Sequence, residues 1–74
     1  MLPLTLTSTG DKVFVARIGG SEEARQHLAD LGFVVGTEVT VISANQGNVI
    51  VNVRDSRLAV TQHIAEKIMV QPVQ

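Results

Sequence analysis

The sequence has no cysteine, tyrosine or tryptophan, and it contains only two phenylalanines among its 74 residues. Without cysteine, neither a disulfide framework nor a thiolate metal site can form. Without tyrosine or tryptophan, the chain lacks the aromatic surface that a groove for proline-rich peptides requires. Two phenylalanines also supply too few stacking side chains for a single-stranded nucleic-acid track. The core must therefore be built from valine, leucine, isoleucine and alanine.

The charges of the chain are nearly balanced, with six basic and seven acidic residues and a net charge of −1. A chain so close to neutrality is not expected to hold a nucleic acid by bulk electrostatic attraction. Residues 1–12 lack the basic start and the long apolar core of a secretory signal. No apolar run approaches the ~20 residues that cross a bilayer. The sequence therefore predicts one small cytoplasmic domain over residues 1–74, without direct membrane insertion.

Short segments of alternating apolar and polar residues predict that the fold is mainly β. A period of two turns one face of each strand toward a core. Proline cannot donate to a strand ladder, so Pro3 and Pro72 are expected at sheet edges or strand ends. The predicted strands cover residues 2–7, 12–18, 37–44, 49–54, 57–60 and 67–73, with turns at 8–11, 45–48 and 55–56 and a helical turn after Thr61.

The segment between the second and third predicted strands is expected to form one short α-helix. Ser21 is a suitable N-cap, because its hydroxyl can accept from amides of the first turn. Ala24, Leu28 and Leu31 recur at helical spacing and predict one apolar stripe. Gly32 is placed to end the helix in the left-handed conformation. A helix of about ten residues is marginal in water, so this stripe must dock onto the sheet.

Five or six short strands and one short helix leave few architectures for a chain of 74 residues. The economical arrangement is a small, strongly bent antiparallel barrel. Closure of the sheet would remove the exposed edges that a flat sheet of this size would carry.

Two histidine–carboxylate pairs are weak candidates for metal binding. His27 precedes Asp30 by three residues, and His63 precedes Glu66 by three. On a helix, this spacing places both members of a pair on one face, where they could share a cation. A stable site usually needs three or four protein ligands, and neither pair supplies them alone. Solvated or capping histidines are therefore the favoured interpretation.

Catalytic chemistry has no support in the sequence. There is no cysteine nucleophile, no G-x-S-x-G elbow and no visible set of serine, histidine and aspartate. Gly19 and Gly20 are not followed by the lysine and hydroxyl residue of a phosphate-binding loop. A barrel of this size without a large pocket is also a poor enzyme scaffold. The sequence therefore predicts no catalytic residues and no cofactor.

Two long stretches resemble the FeoA family of bacterial ferrous-iron uptake. The family typically has an arginine shortly before a leucine and then a "LGF/M-x-x-G-x-x-V" passage from helix to strand. The stretch "ARQHLADLGFVVGTEVTVI" matches this passage, and "VIVNVRDSRLAVTQHIAEKIMV" is similar to the family's closing strands. The chain departs from the family at Val35, where proline is usual, and at Asp55, where glycine is usual.

The resemblance implies an SH3-like barrel without catalytic activity, extending over nearly the whole chain. Members of the family are expected to support a large GTP-hydrolysing membrane transporter for Fe²⁺, through the transporter's cytoplasmic region. The same domain occurs at the end of metal-dependent repressors as an interaction module. A carrier or sensor of transition metals, using His27 or His63, is the alternative function. A homo-oligomer is also compatible with this resemblance.

The loop "GFVVG" is unusual because it is apolar where loops normally face water. Phe33 is expected to fold inward beside the helix, while at least one of Val34 and Val35 should be exposed. An exposed apolar residue next to the end of a helix can extend a patch that contacts a partner. The candidate partner-binding residues are therefore Phe33, Val34 and Val35, together with Arg25 of the family-like motif.

Overall fold

Alternating apolar residues build six strands in the structure, which is a computed structural model and describes residues 1–73. The strands are joined by one longer helix, one helical turn and one 3₁₀ turn. In chain order the elements are β1 (Leu2–Pro3), the 3₁₀ turn (Leu4–Leu6), β2 (Lys12–Ile18), α1 (Glu22–Asp30), β3 (Glu38–Asn45), β4 (Asn48–Val53), β5 (Ser56–Val60), α2 (Gln62–Ala65) and β6 (Ile68–Pro72).

The strands form a single antiparallel sheet in the order β1-β6-β2-β3-β4-β5. The sheet bends into a small barrel-like fold, as predicted. Its hydrogen bonding does not close, because β1 and β5 lie at opposite ends of the order and do not pair. The 3₁₀ turn packs against β4, β6 and α2 instead, so packing rather than a strand ladder completes the barrel.

Valines on the concave face of the sheet supply most of the core. Along β4, alternate residues are buried, and the same alternation begins β3. Only one aromatic ring takes part, so aliphatic packing dominates, as the composition predicts. The fully or nearly fully buried apolar residues are Leu4, Val13, Val15, Leu28, Phe33, Val39, Val41, Val49, Val51, Val53, Val60, Ala65, Ile68 and Val70.

Two tight turns connect β3, β4 and β5. The first has Gln46 and Gly47 at its centre with φ of 54° and 84°, the signature of a type I′ hairpin. The second has Arg54 and Asp55 at its centre with φ of 50° and 71°. This turn lies one residue earlier than predicted, because Ser56 already pairs with β4. The positive φ of Asp55 explains why glycine is usual there, since glycine adopts this conformation without strain.

The N-terminal segment differs from the strand predicted over residues 2–7. Only Leu2 and Pro3 pair with β6, and the chain then tightens into the 3₁₀ turn. Thr7 stabilises this turn, because its hydroxyl and its N–H both donate to the Leu4 carbonyl, at 2.7 and 3.2 Å. The turn buries Leu4 completely and leaves Leu6 68% exposed. The alternating pattern therefore predicted a strand with Leu6 on its apolar face, whereas Leu6 lies in the 3₁₀ turn and faces water.

The final helical turn and β6 follow the prediction with one addition. Thr61 occupies the N-cap position of α2, but its side chain makes no capping bond. Asn48, at the start of β4, supplies the cap: its Oδ1 accepts from the Gln62 N–H at 2.9 Å. Pro72 ends β6 beyond the reach of the short β1, and this end of the strand pairs only with β2. Within residues 1–73, neither helix has the length and apolar character needed to cross a membrane.

Helix α1 is capped as predicted but buries less of its stripe. The Ala24 N–H donates to Ser21 Oγ at 3.1 Å. Leu28 is the one buried residue of the helix, with 3% of its surface exposed. Leu31 is 42% exposed, so its place in the predicted stripe is wrong. The helix ends at Asp30, and Leu31 is its C-cap, where the chain begins to turn away from the helix axis.

Replacement of Leu28 by alanine is expected to lower the free energy of unfolding by about 2–5 kcal/mol, because it leaves a cavity under α1. Leu31→Ala makes the same chemical change three residues later on a half-exposed side chain, and it should cost less than about 1 kcal/mol. Urea denaturation of both variants measures the difference. Equal losses would show that the helix is not held to the sheet by Leu28.

Candidate partner-binding groove

The loop after α1 begins with a Schellman motif. Gly32 has a φ of 109°, and its N–H donates to the Ala29 carbonyl at 3.0 Å. The Phe33 N–H donates back to the Leu28 carbonyl, also at 3.0 Å. These two bonds pair carbonyls of the last helical turn, which have no partner further along the helix. The motif turns the chain sharply and directs Phe33 toward Leu28, with both side chains buried.

Phe33 is therefore a core residue, and its expected place among the partner-contacting side chains is corrected. Its exposed fraction is 0%, and it is among the largest fully buried side chains. A ring buried in this way cannot meet a partner without unfolding the loop. Phe33 instead fixes the loop from beneath, because withdrawing the ring would expose a large apolar surface to water.

The rest of the loop is a type II turn attached to β2. The Thr37 N–H donates to the Val34 carbonyl at 2.9 Å, and Gly36 has a φ of 94°. Val35 thus occupies the second position of the turn, which proline favours. The Gly36 N–H donates to the Val15 carbonyl at 2.7 Å, and the Val15 N–H donates to the Thr37 carbonyl at 2.9 Å. The loop is held at both ends by backbone hydrogen bonds.

This anchored loop displays apolar side chains to water. Val34 and Val35 are 42% and 63% exposed, and Leu31 is 42% exposed. Among residues 1–73, seven large apolar side chains are exposed, and these three lie within five consecutive positions. Single exposed apolar residues are ordinary, but a cluster of them is typical of an interaction surface.

Val34 and Val35 of this cluster form one wall of a groove of about 400 Å³ between α1, β2 and the loop. The groove unites all four candidate partner-binding residues. Arg25, Val34 and Val35 line its walls, and Phe33 lies beneath its floor. Residues separated by up to ten positions in sequence thus share one concave surface, which we refer to as the α1–β2 groove.

Four residues of the α1–β2 groove were not predicted from the sequence. Ala16, Arg17 and Ile18 come from the end of β2, and Ala29 comes from α1. The register of β2 against β6 shifts between Val15 and Arg17, which marks a β-bulge. A bulge re-aims the side chains that follow it. The bulge leaves one sign in the sequence. In "VFVARI" the buried positions alternate through Val13 and Val15, and Arg17 then occupies the next position expected to face the core.

A second depression of about 470 Å³ lies on β3, β4 and β5. It is lined by uncharged residues, and Ile50 is its one exposed large apolar side chain, at 38%. The α1–β2 groove is slightly smaller, but it combines two exposed valines, Val34 and Val35, with two arginines. A few well-placed polar groups on an apolar surface are what give a binding site its specificity.

The histidine–carboxylate pairs lie outside this groove. His27 and His63 are exposed on different helices, and Glu66 is exposed at the end of α2. Asp30 accepts a hydrogen bond from Gln26 Nε2 at 3.1 Å through its Oδ1. Within residues 1–73, no group of three or more potential metal-ligating side chains comes together. Metal binding by these residues stays an untested prediction.

Comparison with protein-family models matches the FeoA domain to residues 2–72. The chain belongs to the FeoA family. A protein of Methanocaldococcus jannaschii named as an Fe(2+) transport protein A is 34% identical to it over 71 residues, which is 96% of this chain and 87% of that protein. The family predicted from the two motif stretches is therefore confirmed.

Solved structures agree with this FeoA fold. The crystal structure of an iron uptake regulatory protein, FeoA, matches with a TM-score of 0.87 at 32% identity and covers 97% of this chain and 96% of that chain. A manganese-dependent transcriptional repressor also matches with a TM-score of 0.87, over 97% of this chain but only 41% of the repressor chain. Its identity is 20%, so this second likeness concerns the fold alone.

Substitution of Gly32 by valine is expected to destabilise this FeoA-family chain through both backbone and packing. A β-branched residue resists a φ of 109°, and a Cβ here would lie 3.0 Å from Val53 Cγ1. Gly10→Val is the matched control, because Gly10 has a φ of 92° and a Cβ there would meet no atom within 4 Å. Urea denaturation should show a loss of about 1–3 kcal/mol for the control and a larger loss for Gly32→Val. Similar losses would mean that the contact with Val53 relaxes freely.

Substitution of Val35 by proline should raise the free energy of unfolding by about 0.4–1 kcal/mol, because proline restricts the unfolded chain and suits this turn position. The Val35 N–H donates to no backbone carbonyl within residues 1–73, so no such bond is lost. Val34→Pro is the control, because its N–H donates to the Gly32 carbonyl at 3.0 Å and would be removed. Thermal melting should move in opposite directions for the two variants. A fall for Val35→Pro would rule out the type II geometry.

Proposed function

We propose that this chain is a non-enzymatic accessory protein of Fe²⁺ uptake. In this proposal it binds the cytoplasmic region of a GTP-hydrolysing membrane transporter for Fe²⁺ and acts in the cytoplasm. The observation that carries the proposal is the α1–β2 groove, in which an anchored apolar loop meets Arg25. Membership of the FeoA family, and its likeness to an Fe(2+) transport protein A and to an iron uptake regulatory protein, supply the link to iron transport.

The rigid backbone of the loop favours binding of a partner. A flexible loop loses conformational entropy when it docks, and this loss weakens the complex. Here the Schellman motif, the buried Phe33 ring and the hydrogen bonds to Val15 hold the backbone before any partner arrives. Val34 and Val35 are therefore presented in a fixed position, and most of their exposed surface is available for burial on binding.

The chemistry of the groove suits binding rather than catalysis. Apart from the guanidinium groups of Arg17 and Arg25, the side chains that line it are aliphatic, and the buried ring of Phe33 lies beneath them. A guanidinium group is a planar set of hydrogen-bond donors without an acceptor, which suits it to bind an anionic group. A role through contact with the transporter, which performs the GTP hydrolysis, fits these residues.

Substitution of Val35 by aspartate should separate binding from folding. With 63% of its surface exposed, Val35 can accept a charge in the free protein for about 0.5 kcal/mol or less. Buried against a partner, the carboxylate would lose its hydration without an assured ion-pair partner, and binding would weaken. Thermal melting and retention of the detergent-solubilised transporter from the same organism on immobilised protein measure the two effects.

Leu6→Asp is the matched control for this experiment. Leu6 is 68% exposed and does not line the α1–β2 groove, so this variant should keep both its melting temperature and its binding. The proposal fails if wild-type protein does not retain the transporter. It also fails if Val35→Asp and Leu6→Asp retain it equally well.

A further inference from the structure

The α1–β2 groove carries a local charge that the whole chain does not. The net charge of the chain is −1, yet both ionisable residues that line the groove are arginines. Arg17 reaches it from β2 and Arg25 from α1, and both are exposed. Two of the six basic residues of the chain therefore meet at one concave, partly apolar surface.

Neither guanidinium group makes a side-chain hydrogen bond within the described chain. Glu22 lies three residues before Arg25, on the same side of α1, but it does not line the groove. Arginines that stabilise a fold usually engage a carboxylate or a carbonyl. Here both forks of N–H donors stay available to a ligand.

We propose that the α1–β2 groove recognises a segment of its partner in which apolar side chains are flanked by carboxylates. The proposal rests on the proposed function and adds to it the chemistry of the bound segment. The apolar side chains would pack on Val34, Val35 and the wall formed by β2. The carboxylates would accept hydrogen bonds from Arg17 and Arg25, whose planar guanidinium groups match a carboxylate with two parallel bonds.

The number of charges favours a protein segment over an anionic membrane surface. Basic segments that bind anionic lipid typically cluster about four to eight lysines or arginines. The groove has two, so bulk attraction is weak and direct pairing must supply the specificity. The groove is also concave. A concave site of about 400 Å³ can enclose the side chains of a peptide segment, whereas a flat bilayer surface would not fill it.

The first experiment measures the affinity of the detergent-solubilised transporter for immobilised protein at low and high salt. The double variant Arg17→Gln/Arg25→Gln should raise the Kd roughly threefold to thirtyfold at low salt, the range expected for two rim ion pairs. The Kd of the wild type should rise with salt, and that of the double variant should rise less. Arg57→Gln, an exposed arginine of β5 outside the groove, should behave as the wild type.

The second experiment identifies the carboxylate directly. Arg25→Lys places a primary amine in the groove. A carbodiimide joins this amine to a carboxylate that touches it as an amide, and the carbodiimide takes up the released water and becomes a urea. Arginine does not react in this way. The variant should gain a cross-linked product with the transporter that is absent from the wild type and from Arg57→Lys. A groove variant that binds the transporter but gains no cross-link would overturn the proposal.

The outcomes distinguish this proposal from the proposed function. If wild-type protein does not bind the transporter, the proposed function itself fails. If Val35→Asp loses binding while the double arginine variant and salt have no effect, the transporter is the partner but carboxylate recognition is wrong. Binding of wild-type protein to vesicles that contain phosphatidylserine, at the affinity it has for the transporter, would assign the arginines to lipid and also reject the proposal.

Discussion

The left-handed backbone of Gly32 is the constraint on which the loop and its groove depend. At a φ of 109°, this residue ends α1 and reverses the chain within two positions. The reversal lets the Phe33 N–H reach the Leu28 carbonyl, and it places both side chains in the core. A residue with a Cβ would be strained here and would press on Val53. The helix end, the core and the exposed valines thus share one backbone conformation.

An apolar loop is stable here because its backbone is paired. Loops usually face water since their free N–H and C=O groups need partners. From Gly32 to Thr37, hydrogen bonds to α1, to β2 and within the type II turn satisfy much of the backbone, and polar side chains are not needed for that purpose. The positions of Val34 and Val35 can therefore carry apolar side chains. This freedom is what allows the loop to serve as a contact surface.

Sequence patterns correctly predicted those features of the fold that depend on residues close together in the chain. The alternation of Val49, Val51 and Val53, the cap at Ser21 and the glycine that ends α1 each depend on a few neighbouring residues, and the structure confirms them. The features that were missed depend on distant partners. Asn48 caps a helix that begins 14 positions later, and Arg17 joins the groove only because a bulge re-aims the end of β2. The periodicity of apolar residues describes one helix or strand at a time, so it cannot predict contacts between residues of different elements.

The two departures from the family pattern differ in what they cost and where they lie. Asp55 holds a φ of 71° in a turn remote in sequence from the groove, a conformation that aspartate tolerates better than most residues. Val35 replaces a residue that would stiffen the turn, so the unfolded chain keeps more conformational freedom to lose. In return, Val35 keeps an N–H that donates to no backbone carbonyl in residues 1–73. Proline has no N–H, so the valine keeps a backbone donor in a turn that lines the same groove as the two arginines.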